Sequence, residues 1–258
     1  MLTLPQLYLS KIMRAVTEFD MLADGDKILI GLSGGKDSLF LLYALAALKD
    51  RLPRKFTLAA LTVDPMFTDD FAVSVLSAYA SRLSVPFDTI KVDIDTAIKT
   101  SGKNPCLTCA YFRRAAINRY ATEHGFNKVA YAHHNDDAVE TFFMGLIYSG
   151  QLNVFTPVTY LDRTDLTVIR PLIYLREAEV RETLRLHGME PVKSPCPRDG
   201  HTKRQRVKEL IAELSDEMPD LYHHLAAAMR QSSLGELWPT AKGRAAMKEN
   251  YRRLMAQK

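Results

Sequence analysis

Lys27-Ile28-Leu29-Ile30-Gly31-Leu32-Ser33-Gly34-Gly35-Lys36-Asp37-Ser38 decides the fold. A short run of apolar residues ends in a glycine turn, and Asp37 to Lys49 follows as a segment rich in Leu and Ala. A brief apolar run bounded by glycine reads as a buried strand, and the Leu/Ala segment reads as a helix. Strand, glycine loop and helix in that order make an anion site. Glycines let the backbone approach an oxyanion and take positive φ. The free N–H groups and the dipole at the helix start then favour negative charge. Ser33 and Ser38 add hydroxyl donors and Lys36 adds a positive charge. The common NTPase loop places a glycine five residues before its Gly-Lys pair and Ser or Thr after the lysine. Here Ile30 and Asp37 hold those places, so this is a different phosphate loop.

Working outward, helical spacing from Leu4 to Leu22 predicts a leading helix. Strands are predicted at Phe56–Val63, Phe87–Val92 and Lys128–Ala132, and helices at Thr68–Leu83, Cys106–His124 and Asp136–Tyr148, with Asn104-Pro105 as a break. Val168–Pro171 reads as an edge strand and Arg176–His187 as a helix. The stretch from Thr202 to Lys258 reads as helical and increasingly basic. The alternation implies an α/β fold, a doubly wound, Rossmann-like parallel sheet, with a C-terminal helical extension. Residues 1–170 are expected to form the nucleotide domain and 171–258 a helical, basic region carrying the third cysteine. In such sheets ligands bind beyond the carboxyl ends of the strands. The glycine loop, Asp64 and His133-His134-Asn135-Asp136-Asp137 should therefore share one edge.

Composition bounds the function classes. Of the 258 residues 47% are hydrophobic, enough for a sizeable core, and a formal net charge of +4 does not by itself indicate nucleic-acid binding. No apolar stretch is long enough to span a bilayer, and Met1–Ser10 lacks a signal-peptide pattern. The expectation is a cytoplasmic protein without a membrane partner. Three cysteines cannot all pair within one chain, which argues against a disulfide framework. Cys106 and Cys109 lie one helical turn apart, and Cys196 could join them in space. A metal centre, a redox pair and plain buried thiols all remain open at this point, as does a zinc site completed by His201.

Asp136 and Asp137 suit a helix start as caps. They could equally contact a metal or substrate, and His133 or His134 could donate to phosphate. Basic residues gather at Arg113, Arg114 and Arg119, around Cys196 (Lys193, Arg198, Lys203, Arg204, Arg206, Lys208), and along the final segment. Such clusters are what phosphate-backbone binding requires. Tyr111 and Phe112 could stack a base, with core packing the expected use.

Ser33-Gly34-Gly35-Lys36-Asp37-Ser38 resembles the PP-loop of the ATP pyrophosphatase superfamily. His133-His134-Asn135-Asp136-Asp137 resembles a second motif of its tRNA-modifying members. The loop, Cys106-Leu107-Thr108-Cys109 with Arg113-Arg114, the His-Asp-Asp segment, Ile169-Arg170-Pro171-Leu172 and Pro195-Cys196 follow the order of the tRNA 2-thiocytidine synthetase family. The stretch Asp64-Pro65-Met66-Phe67 departs from that family in lacking a Gly-rich continuation. The resemblance implies cleavage of ATP between its α and β phosphates. Ser33, Gly34, Gly35, Lys36, Asp37, Ser38, His133 and Asp136 would bind ATP. Asp37, Asp64 and Asp137 would serve catalysis with Mg²⁺. It further implies a [4Fe-4S] cluster on Cys106, Cys109 and Cys196, a tRNA substrate, a sulfur donor such as a cysteine desulfurase, and a homodimer. Two other functions share parts of the pattern: a lysidine-synthetase-like tRNA ligase, which needs no cysteines, and a nucleotide-binding redox sensor without turnover.

Overall fold

A computed structural model describes residues 3–53, 55–68, 71–197 and 202–230. The order is α1 (Gln6–Glu18), β1 (Lys27–Gly31), α2 (Lys36–Lys49), β2 (Thr57–Asp64), α3 (Val73–Arg82), β3 (Phe87–Lys91), α4 (Ile94–Ser101), α5 (Pro105–Glu123), β4 (Lys128–Ala130), α6 (Asn135–Ser149), β5 (Val158–Leu161), β6 (Leu166–Ile169), α7 (Glu177–Leu186), α8 (Lys203–Glu217) and α9 (Leu221–Arg230). The sheet runs β3-β2-β1-β4-β6-β5, parallel except for β5, which is antiparallel to β6. Strand order reverses between β1 and β4, where Leu29 faces Val129 in register. That reversal opens a crevice at the carboxyl ends of these two strands.

Both faces are covered, as a parallel sheet requires. Ile28 and Ile30 point into a large cluster with α1, α2, α3 and α7, while Leu29 points the other way, to Ala116, Ile117 and Ala121 of α5. Helix α2 is buried nearly all round, from Leu39 to Leu48, which is how a helix without a polar face must sit. Leu172, Leu175, Val180 and Leu184 join the same cluster as α2. A third, smaller cluster joins Val139 of α6 to Val207 and Ile211 of α8.

Three expectations change. The strand near Val168 is not at the edge: it is β6, between β4 and β5. Strand β5 lies outside it and closes a hairpin through Asp162–Asp165, with Asp165 at φ 51. Helix α4 was not anticipated. It is capped by Asp93, whose Oδ1 accepts from the Thr96 N–H at 3.0 Å, and is ended by Gly102 at φ 60. Asn104-Pro105 starts α5 rather than merely breaking the chain. Pro105 fills the first helical position, and Asn104 Oδ1 accepts from the N–H groups of Cys106 (3.0 Å) and Leu107 (3.3 Å). Among the described residues no helix is long and apolar enough to cross a membrane. Residues 231–258, with the final basic segment, lie outside the described residues.

Asp26 ties the amino ends of β1 and β4 together. It is 4% exposed and accepts from Lys128 Nζ (2.7 Å), Asn127 Nδ2 (2.8 Å) and the Ala23 N–H (2.6 Å). Burial pushes its carboxyl up, but Lys128 and the two neutral donors outweigh burial and hold it below the usual carboxylate value. Its stabilising contribution is therefore complete above the ordinary carboxylate pKa of about 4 and is lost as pH falls through the lower folded value. Asp26→Ala is expected to cost about 3–5 kcal/mol at pH 7. In urea titrations the gap from the parent protein should shrink as pH drops below about 4.

Candidate active site

The loop after β1 is rigid for local reasons. Gly34 sits at φ +85, and a Cβ there would meet Val192 Cβ at 3.2 Å and Leu76 Cδ2 at 3.4 Å. Ser38 Oγ donates to the Gly35 carbonyl (2.9 Å) and accepts from the Ser33 N–H (3.2 Å), with Ser33 Oγ 3.1 Å away. Gly35 precedes α2 without a side-chain cap, so the first N–H groups of α2 keep their capacity for an anion. The Val192 N–H donates to the Gly34 carbonyl at 2.9 Å, fastening the chain that leads to Cys196 onto the loop.

Where α2, α6, α7 and α8 meet there is a pocket of about 240 Å³ lined by Lys36, Asp37, His134, Asp137, Glu140, Glu177, Arg204 and Lys208. Glu177, the first residue of α7, gathers the cations: Lys36 Nζ at 3.2 Å, Arg181 Nη2 at 2.7 Å, and Lys208. Burial works against its charge, yet these donors drive its carboxyl far below the usual range. Lys36 also reaches Asp37 Oδ2 at 2.8 Å, and the two acids raise its pKa against the effect of burial. Arg204 reaches Glu140 Oε2 at 3.0 Å and Thr141 Oγ1 at 3.1 Å, clamping α8 onto α6. Burial pushes Glu140 upward, opposed by Arg204.

His134 is 3% exposed and caps α6. Its own N–H donates to Asp137 Oδ2 (3.0 Å) and its Nδ1 accepts from the Asp137 N–H (3.4 Å). Its Nε2 lies between two carboxylates, 3.4 Å from Asp37 Oδ1 and 3.5 Å from Asp137 Oδ2. Burial lowers its pKa, but Asp37 and Asp137 reverse the sign and leave it raised. Asp37 is held below its usual value by His134 and Lys36 against burial. Its Oδ1 is nonetheless buried with no hydrogen-bond partner, since His134 stands close but not in alignment. An unmet carboxylate oxygen beside a phosphate loop fits a hard cation such as Mg²⁺, which takes oxygen ligands.

Lys36, Asp37, His134 and Asp137 thus share the pocket. Asp136 turns away from it: both oxygens accept from Arg176 Nε at 3.1 Å, and Oδ2 also takes the Glu177 N–H at 2.9 Å. Arg176 in turn lies 3.6 Å over the Tyr222 ring. Asp64, 8% exposed, accepts from the Met66 N–H at 2.9 Å, which closes a turn with Met66 at φ 57. His133 lies apart from the pocket lining, against Phe155. Glu177, Glu140 and the inward turn of Arg204 and Lys208 were not anticipated. The one sequence signal was the acid pair Glu177 and Glu179 at a helix start, which capping also explains.

The cysteines come from α5 and the Val192–Cys196 segment. Cys106 is exposed and the other two are half-buried. Burial holds the Cys109 thiol above its usual value, with Arg113 opposing. Among the described residues no three His, Cys, Asp or Glu side chains stand at metal-binding separation. Thiolates are the donor set of iron–sulfur clusters, so the residue types fit such a group. His201 and Arg198 lie outside the described residues. Tyr111 and Phe112 are not core: they are 66% and 37% exposed, edge to face at 5.5 Å on the helix that carries the cysteines. Of the basic residues around Cys196, Arg204 and Lys208 face the pocket, and Arg206 pairs with Glu209 and Glu213.

Residues 8–214 match the PP-loop domain family. A tRNA-cytidine(32) 2-sulfurtransferase of Xanthomonas oryzae pv. oryzae is 36% identical over 222 residues, covering 84% of this chain and 72% of the relative. One from Syntrophotalea carbinolica is 34% identical over 221 residues, covering 84% and 85%. Among solved structures, the U34-tRNA thiolase NcsA from Methanococcus maripaludis with its [4Fe-4S] cluster superposes with a TM-score of 0.71 at 22% identity, covering 86% of this chain and 78% of that one. The NMN synthetase from Francisella tularensis gives 0.52 at 15% identity, covering 92% and 100%. The two structural likenesses establish the fold.

Removing the Asp136 carboxylate tests the framework of the pocket. Asp136→Ala should cost about 1.5–3 kcal/mol, since charge-assisted hydrogen bonds are lost and buried groups are left unpaired. In calorimetry this corresponds to a fall in Tm of roughly 3–12 °C for a chain of this size. Asp136→Asn, which keeps an acceptor for the Glu177 N–H, should lose less.

Proposed function

The chain belongs to the PP-loop family, among the tRNA-cytidine 2-sulfurtransferases, and we propose that it adenylates the C2 oxygen of a cytidine in a tRNA anticodon loop and replaces that oxygen with sulfur. The observation that carries this reading is the hydrogen bond from the Val192 N–H to the Gly34 carbonyl. It puts the segment bearing Cys196 against the phosphate loop, so that sulfur chemistry and ATP chemistry meet at one strand edge.

A pyrimidine C2 carbonyl resists attack because its oxygen is a poor leaving group. Attack by that oxygen on the α-phosphorus of ATP breaks the α–β bond and releases pyrophosphate. Sulfur then bonds to C2, and the oxygen leaves with AMP. In this proposal Ser33, Gly34, Gly35, Lys36 and Ser38 hold the departing pyrophosphate with preorganised donors. The unmet Oδ1 of Asp37 would hold Mg²⁺, which neutralises leaving-group charge. His134 keeps Asp37 and Asp137 facing one point, and Asp136 acts by positioning α7 rather than by touching ATP. Asp64 supports the turn at the end of β2. Cys106, Cys109 and Cys196 would hold a [4Fe-4S] cluster. The chemistry such a cluster would supply when bound is delivery of sulfide. Burial leaves the Cys109 thiol above its usual value, and the Arg113 guanidinium opposes that rise.

The tRNA would cross α5, where Tyr111 and Phe112 offer exposed rings and Arg113 and Arg114 offer charge. Sulfur would come from a donor such as a cysteine desulfurase, in the cytoplasm, and a homodimer is carried over from the resemblance. Ligation of an amino acid to tRNA needs no thiol, so the three cysteines of this chain and its likeness to tRNA sulfurtransferases favour thiolation over it.

Anaerobic purification with iron, sulfide and zinc quantified tests the cysteine assignment. The expected result is about four irons and four sulfides per chain. They should be lost in Cys196→Ala while ATP binding persists. One zinc per chain, or no metal under strict anaerobiosis, contradicts the cluster.

A further inference from the structure

A second group of unmet polar atoms lies beside the ATP pocket. Tyr131 and His133 follow β4 and alternate with Ala132, so both turn to the side away from His134. The Tyr131 ring covers Gly31, where a Cβ would meet its Cε1 at 3.1 Å, and Ile117 of α5 stands alongside. His133 meets Tyr131 edge-on at 6.0 Å and Phe155 at 4.8 Å, and the Arg170 guanidinium lies 5.1 Å over Phe155. In this one cluster Tyr131 OH, His133 Nδ1 and Arg170 Nε are buried without a hydrogen-bond partner. Unmet buried groups are rare, and three together call for an explanation. Each of the four residues keeps part of its surface exposed, while the three unmet atoms themselves are covered.

The electrostatics point the same way. Arg170 donates through Nη1 to the Thr156 carbonyl (2.6 Å) and Thr159 Oγ1 (3.1 Å), and no described carboxylate pairs with it. Burial brings it down to about 10, with Arg114 adding to the fall and Tyr131 opposing. Burial takes His133 down to about 4, against the pull of Asp137, so its imidazole is neutral at pH 7. It holds Tyr131 up at about 12, so the phenol keeps its proton. The niche therefore offers two donors, the guanidinium Nε–H and the phenol O–H. In one tautomer His133 Nδ1 adds an acceptor. The Watson–Crick edge of cytosine presents the complement: N3 accepts and the 4-amino group donates, while O2, the oxygen that must reach phosphorus, stays outside this pairing.

We infer that Tyr131, His133, Phe155 and Arg170 form the subsite for the extruded cytosine, with Phe155 and the His133 ring as its stacking surface and His133 Nδ1 as acceptor for the 4-amino group. The inference rests on the thiolation proposed above and adds the residues that choose the base. The position suits it: Tyr131 covers the strand that leads into the phosphate loop and feels Arg113, which stands against Cys109. Uracil presents a carbonyl where cytosine has the amine, and would leave Nδ1 facing another acceptor.

The test uses the anaerobically prepared full chain with matched anticodon stem-loop RNAs carrying cytidine or uridine at the target position. His133→Leu should lower kcat/KM for thiolation of the cytidine RNA roughly 10- to 100-fold, the range for one lost buried hydrogen bond. RNA affinity should change less than about threefold, because phosphate contacts dominate it. ATP affinity should stay as in the parent. His133→Asn, whose amide can place an acceptor near the Nδ1 position, should restore much of the loss. The inference is overturned if His133→Leu thiolates at the parent rate, or if ATP binding falls in step with thiolation, as a purely structural role requires. A parent protein that binds ATP but thiolates neither RNA overturns the function proposed above and this subsite with it, an outcome distinct from an active parent indifferent to His133.

Discussion

The carboxylate of Asp136 is the fixed point of the site. It is 6% exposed and commits both oxygens to α7, through Arg176 and the Glu177 N–H. That attachment decides where Glu177 stands, and Glu177 decides where Lys36 and Lys208 stand. A buried charge is stabilising only when its partners are complete, and here the completed set runs from α6 through α7 to the glycine loop and α8. The pocket lining is thus held by charge pairing among elements far apart in sequence. Pyrophosphate entering it would compete with Glu177 for cations already in place.

The second organising contact is smaller. A single backbone hydrogen bond joins the Val192 segment to Gly34, and the positive φ of Gly34 is what permits so close an approach. Tyr79 adds a further tie: its hydroxyl donates to the Glu190 carbonyl (3.2 Å) and accepts from the Glu190 N–H (3.0 Å). Cys196 therefore inherits its position from the phosphate loop, while Cys106 and Cys109 inherit theirs from the Asn104 cap of α5. The thiols take their positions from two independent anchors, each legible as a local backbone device.

The strand-loop-helix unit from Lys27 to Lys49 was readable because every level agrees there: apolar run, glycine turn, and a helix apolar on all sides. The elements missed were short. Strand β5 has four residues beside a tight hairpin turn, and α4 has eight. The placing of Tyr111 and Phe112 in the core failed because α5 buries Thr108, Ala116, Ile117 and Ala121, a face that leaves both rings outside. Lys36, Asp37 and Asp137 sit in local motifs at strand ends, whereas the sequence offered His133 and His134 as alternatives and the resemblance pointed to His133; only the fold puts His134 in the pocket. Glu177 could not be read, since its role arises from cations on three other turns of chain. Asp136 and Asp137 are adjacent, and only the fold separates a residue that braces α7 from one that faces the pocket.

The account stands on the claim that the loop after β1 holds the β and γ phosphates of ATP as a leaving pyrophosphate. Incubation of the anaerobic protein with α-labelled ATP and a cytidine stem-loop, followed by separation of the labelled nucleotides, tests it directly. The expected products are labelled AMP and pyrophosphate, in amounts equal to the thiolated base and dependent on the RNA. Labelled ADP with inorganic phosphate would contradict it.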